Sequence, residues 1–204
     1  MATNRVKPWD ARLASHLIRP LRDTPVTPNH LTTVRLLTGI AAAAAFASGV
    51  WPNLAAILFA LSNLLDHTDG ELARLTGMSS RAGHVYDLIS DAIVHVLLFV
   101  SIGIGLWNTG AGAWALPFGV IAGVAVASIF HMRNVIEQRY GKAETKQPGW
   151  GGFEAEDVLY LLPVVTFSNT LVPFLAAAAL GAPIAAVLVL KQFATLQRAP
   201  HQAQ

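Results

Sequence analysis

Six apolar stretches bounded by turn residues leave this chain few folds other than a bundle of helices in a bilayer. They run over about 30–49, 53–76, 81–107, 112–138, 155–168 and 170–193. A membrane-crossing helix needs about 20 mostly apolar residues, and only the stretch at 155–168 is short of that. Charged residues make up 13% of the chain against 53% hydrophobic, and the mean hydropathy is +0.48. A soluble domain carries about 25% charged residues. The predicted fold is therefore all-α, with six transmembrane helices.

The charges orient the spans. The turns near "VWPN", "WNTGAGAW" and "FSNT" contain no Lys, Arg, Asp or Glu. Lysines and arginines sit in the N-terminal segment, in the opposite loops, near those helix ends, or in the C-terminal tail. The positive-inside rule assigns that charged side to the cytoplasm. An odd span count would break the segregation, so six spans and two cytoplasmic termini are expected.

The first 28 residues carry Arg5, Lys7, Arg12, Arg19 and Arg22 without a continuous apolar run, which argues against a signal peptide. "PWDARLASHLIRPLRD" alternates apolar and basic residues at helical spacing and reads as an amphipathic helix at the membrane surface. The chain divides into that segment (1–28), one six-helix domain (29–195) and a short tail (196–204). Cysteine is absent, which removes disulfides, thiol chemistry and Cys-based metal sites. A net charge of +2 with dispersed basic residues carries no nucleic-acid footprint.

The chemistry concentrates in "LLDHTDGELARLTGMSSRAGHVYDLISD", residues 64 to 91. Asp66 and Asp69 are three residues apart, and Asp87 and Asp91 four apart, so each pair shares a helix face. Spans two and three are antiparallel, which brings both pairs to one membrane boundary. Four converging carboxylates repel unless a cation sits among them. Hard oxygen ligands suit Mg²⁺, Mn²⁺ or Ca²⁺, and four can hold two ions about 4 Å apart for displacement at phosphorus. Gly70, Ala73 and Gly83 keep the helices slim beside the acids, and Arg74 adds a cation suited to phosphate oxygens. Any one of these acids alone reads most simply as solvated or ion-paired. Asp66 and Asp69, however, lie toward a helix C-terminus, where the macrodipole disfavours negative charge.

Asp66-x2-Asp69-Gly70-x2-Ala73-Arg74-x8-Gly83-x3-Asp87-x3-Asp91 matches the signature of the CDP-alcohol phosphotransferase family at every fixed position. "TPNHLTTVRLLTG" resembles the segment that opens the first span in many members, and the likeness covers roughly residues 25 to 195. The resemblance implies transfer of a substituted phosphoryl group from a CDP-linked donor to an alcohol, with release of CMP. It implies that Asp66, Asp69 and Asp87 hold two divalent ions, Mg²⁺ or Mn²⁺. It implies that Asp91 is the general base and also touches a metal. Asn29, Thr32, Asp66, Asp69, Gly70, Ala73, Arg74 and Gly83 would then line the CDP site.

In the commonest subfamilies the donor is CDP-diacylglycerol and the acceptor is serine, glycerol 3-phosphate or inositol phosphate. "YDLISDAI" lacks the Asp-Arg and Asp-Lys of many inositol-phosphate and glycerol-phosphate enzymes and looks nearer the serine type. It is also tolerably like choline and ethanolamine phosphotransferases, which pass the group to a lipid alcohol. Arg133, Arg139 and Lys191 are candidates for a phosphorylated acceptor, or anchors snorkelling to headgroups. Glu154, Glu156 and Asp157 could hold an amine or favour a helix N-terminus. His67, His84 and His95 read as structural polar contacts. A cation or proton transporter would distribute acids through the bilayer depth, whereas here they share one side. The resemblance further implies a homodimer, for which "SIGIGL" and "GVIAGVAVAS" offer small-residue faces. It also suggests the bacterial inner membrane, with the site facing the cytoplasm.

Overall fold

The computed structural model describes residues 9–141 and 155–198, and its regular elements there are helices. In chain order they are α1 (Trp9–Ile18), α2 (Pro28–Ser48), α3 (Pro52–Thr76), α4 (Arg81–Asn108), α5 (Ala115–Tyr140), α6 (Leu162–Phe167) and α7 (Leu171–Arg198). Short 3-10 turns cover Arg19–Leu21 and Ala155–Leu161.

Local chemistry sets the boundaries. Pro28 and Pro52 open α2 and α3 at positions where a missing N–H costs nothing. Ser80 caps α4, its hydroxyl oxygen accepting from the Gly83 N–H at 3.0 Å. Gly49 and Gly77 end α2 and α3 in the left-handed region, both at φ 69°. The tight turn expected at "FSNT" is present, with Asn169 at φ 54°.

The packing order differs from the chain order. Helix α2 lies between α3 and α4, packing along both, while α3 and α4 scarcely touch. Gly39 makes this possible: a Cβ there would meet Val94 of α4 at 2.7 Å and Ser62 of α3 at 3.1 Å. Helix α5 packs on α4, α7 on α5, and α6 on α3. Phe46, Phe59, Leu98, Phe99, Ile102 and Leu175 form the buried core that joins these layers.

The small-residue faces of spans three and four are consumed inside this bundle. A Cβ at Gly103 would lie 2.5 Å from the Ala115 carbonyl oxygen, and one at Gly119 2.4 Å from that of Phe99. Gly105 faces α2 instead, against the Phe46 carbonyl oxygen. These glycines let α2, α4 and α5 approach within one subunit, so they lend no support to a dimer.

Four helices, α2, α4, α5 and α7, are long and apolar enough to cross a membrane. Helix α3 has 25 residues, but its C-terminal half carries the acids. The expected fifth span is a 3-10 turn followed by a six-residue helix. Those two pieces rise about 23 Å together, less than the roughly 30 Å of a hydrocarbon core. Large side chains on α2 (Leu37, Ile40) and α7 (Leu180, Ile184, Leu188) point outward, as lipid-facing surfaces do. The N-terminal amphipathic helix is present as α1, and it packs on α3 through Ala14 and Ile18 while Leu13 and Leu17 stay exposed.

Candidate active site

The acidic cluster forms because two helix ends meet at one level. Asp66 precedes the end of α3 by ten residues and Asp91 follows the start of α4 by ten. At 1.5 Å per residue both lie about 15 Å from the connecting turn, and Asp69 and Asp87 about 10 Å from it. The helices run antiparallel, so the pairs face each other across the gap that α2 fills. Oxygens of Asp66, Asp69 and Asp87 lie within 4.8 Å of one another. Asp91 stands just beyond that trio, with Oδ1 engaged by two nitrogen donors.

The first donor comes from α2. Arg35 has a side chain only 1% exposed, and its guanidinium sits among the acids. Nη1 is 2.8 Å from Asp66 Oδ1 and 3.4 Å from Asp87 Oδ1, and Nη2 is 2.6 Å from Asp91 Oδ1. One cation thus faces carboxylates of two other helices. Such a buried charge is tolerable because it is multiply paired. The second donor is His95, whose Nδ1 is 3.0 Å from the same Asp91 oxygen.

Thr32, one turn before Arg35, donates its hydroxyl to Asp69 Oδ2 at 2.6 Å. Helix α2 therefore orients three of the carboxylates through Arg35 and a fourth through Thr32. Asp69 is buried, whereas Asp66, Asp87 and Asp91 remain partly open to solvent. Four acids against one arginine leave the cluster short of positive charge. Together with the all-oxygen donor set, that suits a hard divalent ion.

Beside the acids, Gly70 and Arg74 form an open ledge. The nearest atom to a Cβ at Gly70 would be Arg74 Nη1, at 3.7 Å. Arg74 is exposed but steered by Glu71, whose Oε2 accepts from Nε at 3.1 Å and from Nη2 at 2.6 Å. Glu71 is buried and also takes a hydrogen bond from Ser15 of α1 at 3.0 Å, tying the N-terminal helix to this ledge. Gly83 makes room for Asn29, whose Oδ1 would lie 3.1 Å from a Cβ there. Ala73 follows Gly70 on the same helix, half-buried.

The candidate acceptor residues are more scattered. Arg133 is half-buried on α5, and Lys191 is exposed on α7. The Arg139 guanidinium lies 5.8 Å from the ring centre of Phe193, a cation–π contact between α5 and α7. Glu154 and the Glu156 and Asp157 side chains lie outside the described residues.

Sequence reasoning passed over Arg35 and Glu71, and gave His95 only a structural part. Arg35 carried a usable signal: an arginine well inside an apolar stretch needs a partner. His84 contacts Gln138 at 2.6 Å, and His67 Nδ1 lies 3.1 Å from the Asn63 carbonyl oxygen.

Comparison with known proteins fits this geometry. A family model for CDP-alcohol phosphatidyltransferase matches residues 25–196. Among curated relatives, a bifunctional IPC transferase and DIPP synthase of Thermococcus kodakarensis is 39% identical over 87 residues, 40% of this chain and 20% of that protein. An archaetidylinositol phosphate synthase of Aeropyrum pernix is 35% identical over 99 residues, 46% of this chain and 50% of that one. The chain thus spans half or less of the length of these relatives. The phosphatidylinositol phosphate synthase PgsA1 of Mycobacterium tuberculosis, solved with CDP-DAG bound, shares the fold. Its TM-score is 0.68 at 21% identity, covering 95% of this chain and 98% of that one. The same protein solved with manganese and citrate gives a TM-score of 0.60 at 20% identity, covering 96% and 92%. With the family model spanning most of its length and every signature residue gathered at one end of the bundle, the chain belongs to the CDP-alcohol phosphatidyltransferase family.

Proposed function

We propose that this protein transfers a phosphatidyl group from CDP-diacylglycerol to a small polar alcohol of the inositol phosphate type, releasing CMP. The observation that carries this reading is the meeting of Asp66, Asp69 and Asp87 oxygens within 4.8 Å, beside Asp91. The names of the relatives support the acceptor class over serine or glycerol 3-phosphate, although "YDLISDAI" leans toward the serine type. The CDP-DAG bound to the PgsA1 neighbour supports the donor.

In the reaction the acceptor hydroxyl oxygen bonds to the phosphorus that bears the diacylglycerol. The bond from that phosphorus to the bridging oxygen breaks, and its electron pair leaves with CMP. Asp91 takes the hydroxyl proton, which an alcohol at neutral pH does not give up unaided. Asp66, Asp69 and Asp87 would hold the divalent ions, two Mg²⁺ or Mn²⁺, and those ions would supply charge neutralisation to the diphosphate. Arg74 and the open surface over Gly70 would take the diphosphate and cytidine, with Asn29 and Gly83 at the far edge. Arg133 and Lys191 are the cations assigned to the acceptor phosphate.

The protein would sit in the membrane through six spans, the short 155–167 segment included, with the site on the cytoplasmic face. Homodimerisation is proposed on the family likeness alone.

The test incubates purified protein in nanodiscs with Mg²⁺ or Mn²⁺ and CDP-diacylglycerol. Inositol phosphate, glycerol 3-phosphate, serine, choline and ethanolamine are supplied in turn, and parallel reactions offer CDP-choline or CDP-ethanolamine with diacylglycerol. CMP and the lipid product should rise together with inositol phosphate. CMP formed only from CDP-choline or CDP-ethanolamine with diacylglycerol would reverse the donor assignment. Turnover with serine but not inositol phosphate would reverse the acceptor.

A further inference from the structure

His95 is hard to explain as a packing residue. It is 2% exposed and sits between aromatic rings, stacked on Phe130 at 4.4 Å and edge-on to Phe59 at 6.3 Å. An apolar side chain would fill that space at no polar cost. The imidazole instead buries Nε2 with no hydrogen-bond partner among the described residues, which is destabilising by itself.

Its other nitrogen points to the reason. Nδ1 lies 2.9 Å from the Asp91 carbonyl oxygen and 3.0 Å from Asp91 Oδ1. Both neighbours are acceptors, so the proton belongs on Nδ1, and the orphaned Nε2 is left as a lone pair among aromatic rings. Arg35 Nη2 approaches the same Oδ1 from α2 at 2.6 Å. Two donors fixed on different helices thus hold one oxygen of Asp91, which leaves Oδ2 for the incoming hydroxyl. A carboxylate free to rotate about its side-chain torsions would spend much of its time out of line.

We propose that His95 is a positioning residue for Asp91, its Nδ1–H fixing the carboxylate so that Oδ2 meets the acceptor hydroxyl. The inference deepens the phosphotransferase reading and rests on it for the part Asp91 plays.

Two variants separate position from packing. His95→Phe keeps a ring between Phe59 and Phe130 but has no donor, and His95→Asn places an amide N–H close to where Nδ1 lies. In His95→Phe, kcat should fall about 10- to 100-fold, the scale expected when a reacting group is misplaced by about 1 Å. KM for donor and acceptor should stay within about twofold, as should the Mn²⁺ affinity read by EPR. His95→Asn should recover most of kcat. A His95→Phe enzyme with wild-type kcat overturns the proposal. So does a His95→Asn enzyme no better than His95→Phe.

A second measurement does not depend on turnover or on the Phe variant folding. In ¹⁵N-histidine NMR of the wild-type protein in nanodiscs, His95 should show a protonated Nδ1 with a downfield N–H proton, moved upfield in Asp91→Asn. A protonated Nε2, or an Nδ1–H indifferent to Asp91→Asn, overturns the contact. If the NMR result holds while wild-type protein releases no CMP from any donor pair, the reaction reading fails and the His95–Asp91 contact stands.

Discussion

Arg35 Nη1 lies 2.8 Å from Asp66 Oδ1, so α2 delivers a fixed cation to the acidic face of α3. The same guanidinium reaches Asp91 on α4, and one side chain thereby links three helices. Before any metal binds, it is the charge that keeps the carboxylates from driving those helices apart.

Replacing Arg35 with Met should therefore destabilise the metal-free protein. Removing one partner of a buried ion pair costs about 3–5 kcal/mol, and the partly open acids here lower that to about 2 kcal/mol. Added Mn²⁺ or Mg²⁺ should restore much of the loss, because a bound cation replaces the missing charge and binding to the folded state raises its stability. Thermal unfolding in chelator and in metal measures both. If metal stabilises wild type and Arg35→Met equally, the guanidinium is not acting as the counter-charge.

Thr32 gives a finer test. Its hydroxyl donates to the buried Asp69 at 2.6 Å, and a hydrogen bond that orients a metal ligand is typically worth 10- to 100-fold in affinity. Thr32→Val keeps the side-chain shape. Mn²⁺ affinity should drop about tenfold, alongside a stability loss of about 1–3 kcal/mol in chelator from the unpartnered Asp69 oxygen. Unchanged affinity would leave Thr32 as no more than a helix contact.

Much of this site was legible because helix periodicity converts sequence spacing into shared faces. Asp66, Asp69 and Asp87 converge as that spacing requires, and the cysteine-free, acid-rich pattern pointed to hard cations. The insertion of α2 between α3 and α4 was not legible, since consecutive antiparallel helices are expected to pack together. Gly39, small enough to admit Val94 and Ser62, records it locally, as does Gly105 against the Phe46 backbone. Arg35 was missed for the same reason: without α2 in the gap, nothing linked it to acids over 30 residues away. The small residues of α4 and α5 pack these helices within one subunit, because a glycine face carries no information about which helix will use it.

The glycines divide into two classes that substitution can tell apart. A Cβ on Gly105 would lie 2.1 Å from the Phe46 carbonyl oxygen, backbone against backbone, with no flexible side chain to give way. Gly105→Ala should destabilise the protein by about 1–3 kcal/mol, as overpacking does. Gly70 has open space, with Arg74 Nη1 at 3.7 Å. Gly70→Ala should leave the melting temperature unchanged or slightly raised, by helix propensity, yet raise KM for the CDP donor. Equal stability losses in the two variants would mean that Gly70 is also a packing residue.

Asp91 and Asp87 sit one helical turn apart on α4, and their substitutions should fail differently. Asp87 belongs to the carboxylate trio, so Asp87→Asn should weaken Mn²⁺ binding and lower turnover together. Asp91 Oδ1 is held by Arg35 and His95 outside that trio, and its proposed work is proton removal. A positioned general base contributes about 10²–10⁴-fold. Asp91→Asn should lose that much kcat while KM for the CDP donor and Mn²⁺ affinity stay near wild type, the pattern of an interaction made in the transition state. Metal titration by EPR beside steady-state kinetics distinguishes the two variants. If Asp91→Asn loses metal affinity as severely as Asp87→Asn, Asp91 is primarily a ligand. If it turns over at near the wild-type rate, the base is another group.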